Sequence, residues 1–153
     1  MANPPTEFGG EEQFKASQQR VYDLLTNLDA MATTIPDMVS SERVDANTLK
    51  CVVRPGFSFL RGTMKLAIKL GECQPPEKAA MGVEAAGIGV GMRVASQLQV
   101  LAEGEGSRLI WSARIEERKG LISAVSESLI RAAADQVIRH AWSKVREQLG
   151  EAS

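Results

Sequence analysis

An α+β fold is predicted, a curved antiparallel sheet wrapped around one long C-terminal helix. Three observations predict it. The spacing of apolar residues changes from a helical period to a strict alternation at about residue 39, and changes back at about residue 120. The alternating runs between those points are separated by only a few residues of turn chemistry, which favours hairpins, because a parallel pair needs a crossover of a dozen residues or more. A stretch without proline or glycine, Leu121 to Leu149, then follows and is long enough to cover the sheet.

The elements follow in order. Thr6 to Ala16 reads as a first strand, with Phe8 and Phe14 and an interrupting Gly9-Gly10. Ser17 is a plausible N-cap for a helix through Val21, Leu24, Leu25 and Leu28, spaced by three and four. Met31 and Ala32 add a second turn. The helical pattern stops before Pro36, since the residue ahead of a proline is pushed out of the α region.

Six strand-like runs come next: Val39–Ala46, Leu49–Pro55, Gly62–Glu72, Lys78–Gly87, Met92–Glu103 and Arg108–Glu117. The turns between them include Asp45-Ala46-Asn47, Arg54-Pro55-Gly56, Gln74-Pro75-Pro76 and Gly104-Glu105-Gly106. Alternation assigns faces. Met64, Leu66, Ile68 and Leu70 oppose Thr63, Lys65, Ala67 and Lys69, and Leu109, Trp111, Ala113 and Ile115 oppose Arg108, Ser112, Arg114 and Glu116. Such strands have one wet face and one covered face. The cover is Leu121 to Leu149, apolar at Ile122, Val125, Leu129, Ala133, Val137, Ala141, Val145 and Leu149. This reads as one helix about 43 Å long at about 1.5 Å per residue.

Size and charge narrow the function. The chain has 153 residues, 44% apolar and 24% charged, with a net charge of −1. One domain over residues 1–153 is expected, with a core of its own. Basic and acidic groups balance in both halves, so a grip on nucleic acid has no electrostatic support. No apolar run approaches the ~20 residues of a membrane span. The first residues lack the order of a secretory signal. Cys51 and Cys73 are too few for a disulfide scaffold and read as buried, inert thiols, so a cytoplasmic setting is expected.

Few residues invite chemistry. Gly87-Ile-Gly-Val-Gly91 is followed by a strand rather than a helix start, so it reads as a hairpin and not as a nucleotide loop. His140 is the only histidine, no metal-ligand spacing accompanies it, and neither a metal nor a cofactor is expected. No nucleophile elbow or Cys/His pairing stands out. Glu11-Glu12 and Glu116-Glu117 are neighbours on strands and point to opposite faces.

The inner faces are more informative. Met64, Met81 and Met92 look inward, with Met31 and Met38 in the segment that closes one end, and methionine adapts to apolar guests. Small residues stand across from them: Ala85, Ala113, Ala132, Ala133 and Ala134. The expected ligand-binding residues are Met64, Leu66, Met81, Val83, Val94, Leu98, Trp111 and Leu129, around an elongated apolar small molecule. The competing expectation is a cyclase- or hydrolase-like enzyme using Ser96 or Glu84, an acid made useful by apolar surroundings.

With these stretches in order, the chain resembles the G-subunit family of carbon monoxide dehydrogenase, within the superfamily of START-related domains, polyketide cyclases and birch-pollen allergen-like proteins. The matching stretches are Phe8-Gly-Gly10, Val21-Tyr-Asp-Leu-Leu25 with Asp29, Thr34-Ile-Pro36, Val53-Arg-Pro-Gly56 and Phe59-Leu-Arg-Gly62. Gln74-Pro-Pro76, Gly87–Gly91 and Lys119-Gly-Leu121 complete them. The resemblance implies a helix-grip fold with a hydrophobic cavity for a lipid- or quinone-like molecule. It also implies an accessory role beside a carbon monoxide dehydrogenase-type oxidoreductase, with transient membrane contact. The chain departs from the pattern at Asp37, where glycine is common, and at Gly120-Leu-Ile-Ser123. It ends at Ser153 without the long extension of many members, so anchoring through such an extension is not expected.

Overall fold

The computed structural model describes residues 6–56 and 62–151. In chain order the elements are β1 (Thr6–Phe14), α1 (Gln18–Leu25), α2 (Leu28–Ala32), β2 (Met38–Asp45), β3 (Thr48–Val53), β4 (Met64–Gln74), β5 (Lys78–Gly87), β6 (Val90–Glu103), β7 (Gly106–Gly120) and α3 (Glu127–Leu149). The strands form one sheet in the order β1-β7-β6-β5-β4-β3-β2, with every neighbouring pair antiparallel. With α3 lying across the inner face, this is the helix-grip arrangement.

The alternation reads the faces correctly. Leu66 pairs with Cys51 and Ala85, Met81 with Leu70 and Ser96, and Leu98 with Trp111, so one continuous inner face runs across the sheet. Three apolar clusters line it. Phe14, Val21, Tyr22, Val100 and Leu109 meet Val145 and Leu149 of α3 at one end. Val53, Met64, Ala85, Val90 and Ile115 meet Ile122 and Ile130 at the other. Leu28, Leu49, Cys51 and Ile68 pack under α2.

Several boundaries differ from those the sequence suggests. The first strand ends at Phe14 and runs unbroken through Gly9-Gly10, because both glycines pair with β7. The third long run begins at Met64, and its Phe59-Leu-Arg61 lead lies outside the described residues. β6 and β7 extend beyond their expected ends, to Val90 and to Gly120.

The expected single helix from Leu121 to Leu149 is two pieces. Leu121–Ala124 is a 3₁₀ turn, Val125 is extended at φ −78° and ψ 137°, and α3 starts after Ser126. The Ser126 hydroxyl accepts the Leu129 amide at 3.3 Å, and an N-cap of this kind resets the chain where apolar periodicity alone would run on. Cys73 is exposed rather than buried, on the part of β4 that pairs with β5 again (Cys73 with Ala79) after a register shift; Cys51 is buried, and burial pushes its thiol upward.

Two arginines of α3 fasten the helix to the edge strand β1. Arg131 donates to the Glu7 carbonyl at 3.0 Å with its guanidinium 5.2 Å above the Phe8 ring. Arg146 donates to the Gln13 carbonyl at 3.0 Å and lies 4.6 Å above Phe14. Both bonds use carbonyls on the free side of an edge strand, which covers part of an edge that would otherwise invite pairing. At the C-terminus of α3, Arg20 donates to the Leu149 carbonyl at 3.1 Å and Glu151 accepts the Lys15 amide at 2.7 Å.

Tyr22, the only tyrosine of the chain, donates its hydroxyl to the Lys78 carbonyl at 2.8 Å. Burial, reinforced by the neighbouring Cys73 thiol, pushes its pKa up to about 12. A folded pKa above the unfolded one means that the folded state holds the proton more tightly. The stability this supplies is complete below pH ~10 and is lost as pH rises through ~12. Ultraviolet titration of the phenolate should therefore give a midpoint near 12 in the folded protein and near 10 in denaturant. Tyr22→Phe should remove that alkaline loss of stability. A folded-state midpoint near 10 would count against the burial argument.

Candidate functional site

Between the middle of the sheet and α3 the two layers are held apart. The space is about 330 Å³, at the small end of the ~300–1,000 Å³ of ligand pockets. Its sheet wall is Ala79, Met81, Val83, Val94, Ser96, Leu98, Trp111 and Ala113; its helix wall is Ile138, Ala141, Trp142 and Val145; and α1, α2 and the turn after them supply Leu24, Leu25, Ala30, Met31 and Thr34. Among the described residues, none that lines it is charged. Met81, Val83, Val94, Leu98 and Trp111 point inward yet are only partly buried, because they border a void rather than a packed neighbour.

The void follows from local choices. Opposite Met81 and Trp111 the helix presents Ala141, and the sheet presents Ala79 and Ala113, so small side chains face each other in the middle while bulky ones meet at both ends. Trp142 forms the floor at one end. Its ring centroid is 6.0 Å from that of Trp111 and 6.4 Å from that of Phe14, with tilted planes. Such contacts add about 0.5–1.5 kcal/mol per pair beyond area burial. Among the described residues, neither indole N–H meets an acceptor although both nitrogens are buried. Each unsatisfied donor costs about 1–3 kcal/mol, so this wall is not arranged for packing stability alone.

The eight expected ligand contacts divide. Met81, Val83, Val94, Leu98 and Trp111 are brought together around the space. Met64 and Leu66 share the inner face but lie outside the void: Met64 is 5% exposed in the cluster with Ile122 and Ile130, and Leu66 packs beside Ile35 and Met38. Leu129 is 42% exposed, as is Val137 at 37%. The cause is helical drift. Steps of four residues advance about 40° beyond a full turn, so a row that faces the sheet at Leu149 and Val145 has rotated about 200° by Leu129. The row that stays inward is Ile130, Ile138, Ala141, Trp142 and Val145. Of the other methionines, Met31 borders the void, while Met38 and Met92 fill the core. Ala85 is buried in a cluster and Ala132 is exposed.

The two groups that an enzyme reading singles out are separated. Ser96 borders the void, with its hydroxyl donated to the Met81 carbonyl at 3.2 Å. Glu84 is on the convex face, in a shallow groove with Lys65 and Lys50. His140 does not line the void. Among the described residues, no helix is long and apolar enough to cross a membrane.

Reading residues in isolation missed Leu24, Leu25, Ile138 and Trp142. The signal for the first two was present, since the short helices carry apolar residues at three-and-four spacing with no partner of their own.

A family model described as the G subunit of carbon monoxide dehydrogenase (CoxG) matches residues 10–150. No curated protein matches the chain in sequence. Among solved structures, a conserved protein from Geobacillus kaustophilus superposes with a TM-score of 0.87 at 16% identity, covering 95% of each chain. Ara h 8.0201 gives 0.71 at 12% identity, over 95% of this chain and 97% of its own. A START superfamily protein from Mycobacterium smegmatis gives 0.69 at 9% identity, over 93% and 95%. Identities this low speak to the fold.

Proposed function

The chain belongs to the CoxG family, the G subunits of carbon monoxide dehydrogenase, and from that premise we propose that it binds and carries an apolar, lipid- or quinone-like small molecule between its sheet and α3, as an accessory protein of a carbon monoxide dehydrogenase-type oxidoreductase. The observation that carries this reading is the space of about 330 Å³ bordered by the apolar side chains of Met31, Met81, Leu98, Trp111 and Trp142. Apolar contact drives binding at about 25 cal/mol per Å² buried, with few polar contacts needed for orientation. Methionines on two walls let the space adapt to related shapes, so discrimination among apolar guests is modest.

The test uses protein purified from its own host. Native mass spectrometry with solvent extraction should recover a co-purifying apolar molecule, and added quinone or fatty acid should quench tryptophan fluorescence, because both tryptophans border the space. Neither a co-purifying molecule nor quenching would overturn the carrier reading. The accessory role is tested separately, by pull-down with a washed bait, and recovery of such an oxidoreductase supports it. A cyclase- or hydrolase-like activity has one group in the space, Ser96; turnover of a bound hydrophobic compound that vanishes in Ser96→Ala would favour that activity instead.

A further inference from the structure

A cavity that loads and unloads needs a way in, and the packing shows where its walls are weakest. The end of the grip beside the β5–β6 turn is filled, with Val53, Met64, Val90, Ile115, Ile122 and Ile130 in one buried cluster. At the opposite end, Val145 and Leu149 of α3 are packed against Val21 and Tyr22 of α1. Between those two anchors α3 spans the void, and the element facing it across the opening is α2 with the turn that follows.

Among the described residues α2 itself shares no apolar cluster with α3; the turn after it does, since Ile35 packs on the cluster that holds Ile130. Leu28, Met31 and Ala32 of α2 pack on the sheet with Leu49, Cys51 and Ile68, and no residue of α3 joins that group. Among the described residues, the hydrogen bonds between the two come from one side chain. The Gln148 amide donates to the Thr33 hydroxyl and, at 3.5 Å, to the Ala30 carbonyl. Ala30, Met31 and Thr34 border the void on one side of this bridge, and Ile138 and Ala141 border it on the other.

α2 is also the element free to move. It has five residues, too few to be stable as a helix by itself. Leu28, 1% exposed, is its one deep anchor; Met31 and Ala32 are only partly buried, and the ion pair of Arg43 with Asp29 at 3.0 Å is exposed to solvent. The α1–α2 joint at Thr26-Asn27 bounds it on one side and Asp37, at φ 60°, on the other. By contrast, α3 is fixed to β1 by Arg131 and Arg146.

We infer that the seam between α2 and α3 is the portal of the cavity and that Gln148 is its latch, with α2 swinging about Leu28 to admit an apolar guest. This rests on the carrier reading above and adds the route and the residue that sets its rate.

The test is stopped-flow binding of the neutral fluorophore 1-aminoanthracene, read by energy transfer from the two tryptophans, to the full chain and to Gln148→Ala. Gln148 is exposed and outside the cavity wall, so the fold should survive and the melting temperature should stay close to that of the parent. A latch predicts that association and dissociation rates rise together by about threefold to tenfold, the weight of one hydrogen bond, with Kd within about twofold. A second variant carries Thr33→Cys and Gln148→Cys in a Cys73→Ser background, and its oxidised form should exchange the probe more slowly than its reduced form. Unchanged rates in Gln148→Ala overturn the latch, as does a change in Kd carried by one rate alone. Failure of the parent to bind the probe overturns the carrier reading and the portal with it, and is recognised by the absence of energy transfer in every variant.

Discussion

Met81→Trp is expected to abolish binding of 1-aminoanthracene, or of a quinone, while leaving the fold intact. Met81 sits at the centre of the sheet wall, paired with Leu70 on one side and Ser96 on the other, and projects into the space. At about 330 Å³ the space is already near the lower limit for ligand pockets, so a side chain as large as indole leaves too little room. A guest that loses about 110 Å² of apolar contact loses about 2.7 kcal/mol, or about a hundredfold in Kd. The usual cost of overpacking, about 1–3 kcal/mol, is reduced here because the added atoms enter a void and not a filled core. Calorimetric titration beside a thermal melt decides the matter. A variant that melts like the parent and binds as tightly would show that the guest sits elsewhere.

Why the site was half legible follows from the same residues. On strands the period of two does not drift, so Met81, Val83, Val94, Leu98 and Trp111 could be placed on the inner face from spacing alone. Spacing gives the face and not the position along it. Met64 and Leu66 satisfy the same rule and end in packed clusters, because where the void opens depends on what α3 presents opposite. On the helix the drift of a four-residue row misplaced Leu129, and Ile138 and Trp142, which do face the sheet, break that row. The departure at Asp37 is legible only in the structure. Its φ of 60° is a left-handed conformation that suits glycine and that aspartate tolerates better than most residues, which explains how the pattern accepts both.

Gly120→Ala is expected to cost more than any single cavity variant. Gly120 closes β7 at φ 73° and ψ −144°, and pairs with Val90 at the start of β6. A Cβ built on it would lie 1.8 Å from the Gly89 carbonyl oxygen and 2.9 Å from its carbon. Both are backbone atoms of the Gly87–Gly91 turn, and that turn also carries Gly87 at φ 141° and Gly89 at φ 72°. Neither partner can rotate away as a flexible side chain could. One of two backbones must move, which would pull Val90 and the following Leu121–Ala124 turn out of the cluster that holds Met64, Ile115 and Ile130. The positive φ alone costs an alanine about 1–2 kcal/mol, and the displaced packing brings the total to about 4 kcal/mol or more, a large part of the whole stability of a chain this size. Gly104→Ala is the control: its φ of 60° is also positive, but its Cβ would meet nothing within 4 Å, so only the smaller conformational cost should appear. Urea unfolding of the two variants beside the parent measures the difference. Equal losses in both would mean that the Gly89–Gly120 contact is relieved at no cost, and that the close approach of the two turns is not what glycine supplies there.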